Sequence, residues 1–313
     1  MSKKTLRNNL LALEKNAPAR QAGLSTRSIQ ANLHGKSEPF ELTYLFVPAQ
    51  NGAPTGPPVV LIHGTPATLF TWVPTIYGDT ASKGLSATRD VYAIEVIGHG
   101  MAEGDGRPYL FESCARFVEA AIRGLGLSEV YLVGNSYGGE FAWRAALNAP
   151  DLIAGLVLIH PSGYARQDDE WLPEEVVMRD NSLAKIGWLL NSKKRVRTAL
   201  EPHFNGIPKD RDTEIFLVCE NAHNWKAMID LVRDENGSRE SELQQIRPPT
   251  LILWGAAEIA YPLDTFGRRF EEDIPNATLQ VLPECGHYPQ EQRPELVANV
   301  LHGFFDSLEV TSR

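Results

Sequence analysis

The chain has 313 residues, 43% hydrophobic and 22% charged, a composition that excludes disordered and fibrous classes and suits one α/β unit carrying an insertion. Its formal net charge of −9 offers a phosphate backbone no basic footprint, so nucleic acid is excluded as an expected partner. Cys114, Cys219 and Cys285 are odd in number and far apart, the N-terminal apolar run is too short for a secretory signal, and no stretch approaches membrane-span length; the expectation is a cytoplasmic protein with no disulfides and no membrane partner.

Residues 1–24 read as a polar helical lead-in. Two strands are expected at Ser28–Leu33 and Phe40–Val47, the second rich in aromatic and aliphatic residues with partial alternation, as a half-buried strand requires. The Pro/Gly-rich stretch 51–58 is a loop. A rhythm of short apolar runs then begins, at residues 58–62, 90–95, 130–133, 156–159, 250–254 and 278–282. Strands apolar on both faces belong in a parallel sheet covered by helices. Helical patterns lie between them, near 72–82, 110–125 and 137–148, and this alternation predicts an α/β, doubly wound, mostly parallel sheet. After Pro294, the residues Leu296, Val297, Val300, Leu301, Phe304, Phe305 and Leu308 recur at helical spacing and predict a final helix with one buried stripe.

The rhythm breaks between Gly163 and about Ile246, where the chain is charged and helix-prone. This predicts a core of residues 1–162 and 246–313 with a helical cap, 163–245, inserted between the sixth and seventh strands. Within it, the basic run Lys193–Arg197 reads as a solvated helix face. Trp171, Trp188, Trp225 and Phe216 either line a pocket or form the cap's own core; their spacing favours neither.

The chemistry concentrates in Gly134-Asn135-Ser136-Tyr137-Gly138-Gly139. A glycine-rich turn with an incidental serine is the bland alternative. Here the motif directly follows an apolar strand and directly precedes a helical pattern, the context a strained strand-to-helix turn needs. Such a turn holds the serine hydroxyl at the carboxyl end of the sheet, where ligands bind in open α/β sheets. A serine hydroxyl needs a base to become a nucleophile. His287 is the candidate, on the loop between the last strand and the last helix. His63, His99 and His160 read as loop-anchoring groups, and His34, His203, His223 and His302 as surface or cap residues. The base needs an acid to hold its tautomer. Glu258 follows the seventh strand and is the candidate, ahead of Asp264, which lies beyond Pro262 where a helix begins and a carboxylate favours the helix N-terminus. Backbone N–H donors for an oxyanion are expected from Tyr137 and from Thr65, since Pro66 has no N–H.

Together His63-Gly64-Thr65-Pro66, Gly98-His99-Gly100, Gly134-Asn135-Ser136-Tyr137-Gly138-Gly139, Trp254–Pro262 and Gly286-His287-Tyr288-Pro289-Gln290-Glu291 resemble the α/β-hydrolase superfamily. More narrowly the chain is similar to its capped esterase, epoxide-hydrolase, haloalkane-dehalogenase and C–C hydrolase branch, over roughly 28–162 and 247–308. The resemblance implies a mobile helical cap and no cofactor or metal. Two departures stand out. Aspartate is usual in that branch where Glu258 stands, and its dehalogenases and epoxide hydrolases carry an aspartate nucleophile where this chain has Ser136, which argues against both activities. Glu95, after the fourth strand, is read as structural. The leading expectation is hydrolysis of a small-molecule carboxylic ester or lactone. Cleavage of a carbon–carbon bond in a dienoate-type ring-fission product is the second, and a ligand-binding receptor with little turnover the third.

Overall fold

The apolar runs pair into one eight-stranded sheet in the order β1-β2-β4-β3-β5-β6-β7-β8, in a computed structural model that describes residues 1–313 apart from 15, 79–82, 105, 312 and 313. The strands are β1 (Ser25–Asn32), β2 (Ser37–Val47), β3 (Val59–Ile62), β4 (Val91–Ile94), β5 (Val130–Asn135), β6 (Ile153–Ile159), β7 (Thr250–Gly255) and β8 (Ala277–Leu282). β1 pairs antiparallel with β2 and β2 antiparallel with β4, while every pairing from β4 to β8 is parallel. This is the doubly wound, mostly parallel sheet that the rhythm predicts.

Strand composition follows strand position. β3, β5 and β7 are buried at every residue, as strands covered on both faces must be. Successive residues of one strand feed opposite cores: Val60 and Ile62 of β3 join one hydrophobic cluster, Val59 and Leu61 the other, the period of two inherent to a pleated strand. The hairpin is longer than its apolar pattern suggests. Ser25–Arg27 are exposed, yet they pair with Leu42–Tyr44, because an edge ladder is closed by backbone groups whatever the side chains are.

Helices α1 (Lys3–Leu13) and α2 (Ala17–Ala22) form the lead-in; α3 (Val73–Tyr77), α4 (Phe111–Gly124) and α5 (Tyr137–Asn148) cover the sheet. The expected helix at 72–82 is confined to α3, and its continuation over 79–82 lies outside the described residues. In α4, Phe111, Cys114, Phe117, Val118, Ala121 and Ile122 are buried, the spacing of one helical face, and the Ser113 hydroxyl accepts from the Leu110 N–H to close its first turn. Between β6 and β7 run α6 (Pro173–Arg179), α7 (Asn181–Leu189), α8 (Lys193–Leu200), α9 (Arg211–Glu220) and α10 (Ala222–Asp234), with no strand among the described residues. After β7 come α11 (Arg268–Asp273), α12 (Pro289–Gln292) and α13 (Pro294–Thr311). The three cysteines are free and buried. No helix among the described residues is long and apolar enough to cross a membrane.

In α13, Val297, Leu301 and Phe305 are fully buried, with Leu296, Val300, Phe304 and Leu308 packed beside them. Phe305 stacks on Tyr131 with ring centres 4.2 Å apart, and the Arg89 guanidinium lies 5.4 Å from its centre. Phe305→Ala therefore opens a cavity that neither neighbour can fill. The expected loss is about 3–5 kcal/mol, read as a lower urea midpoint at unchanged slope.

Candidate active site

Ser136 is the single residue between β5 and α5. Its backbone sits at φ 57°, ψ −126°, a positive-φ conformation that a residue bearing a Cβ adopts only when its surroundings impose it. Here they do: Ser136 N–H donates to Ile159 O at 2.9 Å, and its own carbonyl accepts from Gly139 N–H at 2.8 Å and Glu140 N–H at 3.2 Å. Two glycines let the backbone close in. A Cβ at Gly138 would lie 2.4 Å from His63 O, and one at Gly64 would lie 2.9 Å from Ser136 Cβ.

His287 sits on the loop between β8 and α12, with its N–H donating to His203 O at 3.1 Å. Its Nδ1–H donates to Glu258 Oε2 at 2.6 Å. The other oxygen of that carboxylate, Oε1, accepts from Ala260 N–H at 2.5 Å and Tyr261 N–H at 3.2 Å. The extra methylene of glutamate is thus accommodated by folding the carboxylate back onto its own loop. Burial by itself would raise the pKa of Glu258; the facing imidazoles of His287 and His160 and the hydrogen bonds outweigh it and hold the carboxyl at about 2. Asp264 lies elsewhere: its side chain is 86% exposed and pairs with Arg268 one turn on at 2.9 Å.

Thr65, Ser136, Tyr137 and His287 line one cavity of about 330 Å³. Tyr137 is the first residue of α5, so its N–H has no carbonyl four residues back to satisfy it. Among the described residues the Thr65 N–H has no acceptor either. The Tyr137 ring is anchored by its hydroxyl, which donates to Glu235 at 2.8 Å, and the Tyr261 hydroxyl donates to the same carboxyl at 3.0 Å. Burial pushes Glu235 up to about 8. Ser136 Oγ makes no hydrogen bond among the described residues; in ligand-free enzymes such contacts are often long and tighten around substrate.

The remaining histidines of the core divide as their loops dictate. His63 Nδ1–H donates to Gly64 O at 2.7 Å and its Nε2 accepts from Val96 N–H at 3.3 Å. His99 is neutral, pushed down to about 3 by burial, beside the Thr65 hydroxyl at 3.4 Å. His160 Nε2 accepts from Gly255 N–H at 2.6 Å, and burial holds it near 4, hence neutral. His160, Glu258 and His287 converge closely enough to suggest a metal site. However, the facing atoms already hydrogen-bond among themselves or to backbone N–H groups, which makes the cluster an oriented acid–imidazole pair. Glu95 accepts from Leu69 N–H at 2.6 Å and Met101 N–H at 2.7 Å, a loop brace.

Three side chains lie where their spacing did not point. His203, expected at a surface or in a cap, is buried, lines the cavity, and has its ring centre 5.7 Å from that of His287. Asn135 and Gln290 brace the histidine loop: Asn135 Nδ2 donates to Ile159 O and His287 O, both at 3.2 Å, and its Oδ1 accepts from Gln290 at 3.1 Å. The sequence carries no signal of this pairing; both amides are wholly buried in the fold, and such groups must find partners. Of the four aromatic candidates, Trp225 alone lines the cavity. Trp171 is held between the guanidinium groups of Arg166 and Arg179, at 4.3 and 4.0 Å. Trp188 is exposed and Phe216 packs on the hydrophobic core.

Residues 59–300 match the family model described as "Alpha/beta hydrolase family". The chain is 28% identical over 235 residues to the uncharacterized hydrolase YugF of Bacillus subtilis (strain 168), covering 69% of this chain and 80% of that protein. It is 30% identical over 260 residues to 2-hydroxymuconate semialdehyde hydrolase of Pseudomonas putida, covering 80% and 87%. Among solved structures, a membrane phospholipase A described as a bacterial virulence factor superposes with TM-score 0.76 at 24% identity over 97% of this chain and 93% of that one; at that identity the likeness concerns the fold alone.

Proposed function

The chain belongs to the alpha/beta hydrolase family, and from that premise we propose that it is a serine hydrolase cleaving a carboxylic ester or lactone. Ser136 Oγ attacks the carbonyl carbon while His287 Nε2 takes its proton. Glu258 holds the opposite ring nitrogen as N–H and stabilises the imidazolium. The backbone N–H groups of Thr65 and Tyr137 receive the oxyanion. The alkoxide leaves with the proton from His287, forming an acyl-enzyme, and a water activated by His287 releases the acid. This chemistry draws on no cofactor.

The observation that carries the reading is the 2.6 Å bond between His287 and Glu258 beside a serine held at positive φ on the same cavity. The test is an ester and lactone panel on purified protein, with fluorophosphonate labelling in parallel. Labelling without turnover on any ester would leave a carbon–carbon hydrolase or a receptor-like protein. No labelling and no turnover would end the reading.

A second reading, carbon–carbon bond hydrolysis, is favoured by the 30% identity to 2-hydroxymuconate semialdehyde hydrolase and would use the same serine and histidine. Against it, both amide hydrogens of Asn135 are already donated to carbonyls, so the motif's amide has no donor left for a dienoate. Bleaching of a coloured dienoate faster than an aryl ester would reverse the preference.

Substrate choice should follow the cavity lining. Trp225→Ala enlarges the chamber, and the kcat/KM ratio of long-chain to acetyl aryl esters should rise by about tenfold or more. The acetyl ester itself should change by less than about threefold. Trp188→Ala, outside the cavity, should leave the ratio where it was. An unchanged ratio in Trp225→Ala, in a protein of normal circular dichroism, would place acyl recognition elsewhere.

A further inference from the structure

α7 carries an exposed apolar row beside the row that it turns inward. Ala184, Gly187 and Asn191 lie one helical repeat apart on its inner side; Ala184 is buried, and Gly187 and Asn191 line the cavity. Leu183, Ile186 and Leu190 form the same repeat on the outer side, and they are 45%, 49% and 52% exposed. Leu189 is 66% exposed and Val176, on α6, 48%. Six of the eleven large hydrophobic side chains exposed among the described residues fall between 176 and 190. Scattered exposed leucines need no explanation, but a contiguous group on one helix does.

The charge of the segment says what covers it. Residues 181–200 carry Lys185, Lys193, Lys194, Arg195 and Arg197 and no acid, in a chain of net charge −9. Lys193 and Arg197 are drawn toward Asp212; Lys185, Lys194 and Arg195 make no ion pair among the described residues. The adjacent acid Asp180 is taken up capping α7, accepting from the N–H groups of Ser182 and Leu183.

We propose that α7 and the start of α8 are a docking surface for an anionic phospholipid bilayer. The outer leucines and Ile186 enter the boundary between headgroups and acyl chains. Lys185, Lys194 and Arg195 meet the lipid phosphates. A second copy of the chain is disfavoured as the occupant, because a two-fold contact would set these cations against themselves. The absence of a spanning helix among the described residues is no obstacle, since lying on a membrane and crossing it are separate physical states. Gly187, Asn191 and Arg195 line the cavity that holds Ser136 and His287, so docking through α7 sets that cavity directly behind the membrane-facing helix. Resting on the ester-hydrolase reading, the substrate is then an acyl ester dissolved in the membrane surface, its chain received by the apolar residues around Met178, Leu200 and Met228.

The experiment is co-sedimentation of the full chain with phosphatidylcholine vesicles, with and without about a third phosphatidylglycerol. Wild type should bind the anionic vesicles and release as salt is raised. Leu189→Ser/Leu190→Ser and Lys185→Glu/Lys194→Glu should each weaken binding about tenfold or more, while hydrolysing a soluble short-chain aryl ester at the wild-type rate. Ser136→Ala should sediment like wild type. Failure of wild type to bind anionic vesicles overturns the proposal, as does binding that neither double variant changes. So does a dimer in solution that Leu189→Ser/Leu190→Ser dissociates, if vesicle binding is lacking. Absence of ester turnover would count against the ester reading alone, because vesicle binding is measured without turnover.

Discussion

Ser136→Ala should leave a folded protein whose ester hydrolysis has fallen by on the order of 10⁵–10⁶-fold, the scale on which serine proteases respond to loss of the same group. Alanine keeps the Cβ and therefore the same backbone strain at φ 57°; the hydroxyl that it removes makes no hydrogen bond among the described residues. Little stability should change, and the lost rate can then be assigned to the nucleophile. Ser136→Gly sharpens the argument. Glycine adopts positive φ without penalty, so this variant should be equally inactive yet about 1 kcal/mol more stable than alanine at the same position. In wild type, mass spectrometry after fluorophosphonate treatment should place the adduct on the peptide containing Tyr131–Arg144. An adduct elsewhere, or full activity in Ser136→Ala, would remove Ser136 from the mechanism.

The second large effect belongs to Glu258. Glu258→Gln keeps the shape but has one acceptor oxygen where the carboxylate has two. The side chain must then satisfy either the Ala260 and Tyr261 N–H groups or the His287 Nδ1–H, and it carries no charge to stabilise the imidazolium. A fall of up to about 10⁴-fold in kcat is expected on an activated ester, while Asp264→Asn, an exposed partner of Arg268, should stay within about twofold. A collapsed Asp264→Asn beside a normal Glu258→Gln would reverse the assignment. The same carboxylate has a signature in stability. Its folded pKa, about 2, lies below its ordinary value of 4.5, so between those pH values the unfolded chain binds the additional proton and stability rises with pH. The contribution of Glu258 is present above about pH 4.5 and is lost as pH falls toward 2. Melting temperatures recorded from pH 7 to 2.5 should converge for wild type and Glu258→Gln at the acid end; parallel curves would mean that the carboxylate is not held ionised.

Much of this was legible in the amino-acid sequence, for local reasons. Runs such as Val59–Ile62 and Val130–Val133 are apolar on both faces, and only a covered parallel sheet buries both faces of a strand. Gly134, Ser136 and Gly138 stand where a strand must turn into a helix within one residue, and close backbone approach there tolerates little else. His287 and Glu258 follow strands at the sheet's carboxyl edge, so neighbourhood in the fold follows from order along the chain. The loops also explain why Glu258 could be preferred to Asp264: the latter lies past Pro262, in the helical turn Leu263–Gly267, pointing to solvent.

What only the tertiary structure decided is non-local. Asn135 and Gln290 are 155 residues apart, and nothing in either one's neighbours announces the pairing that braces the histidine loop. His203 and Trp225 reached the cavity, while Trp171 and Trp188 did not, because five short helices can be rotated over the sheet in many ways that preserve each one's own periodicity. Which face turns inward is set by packing against the core and by long-range ties such as Arg211 to Glu291 at 2.8 Å and the Thr68 hydroxyl to Glu214 at 2.7 Å. Periodicity specifies that a face is apolar; the partner that buries it, or leaves it bare as on α7, is determined by contacts between residues far apart in the chain.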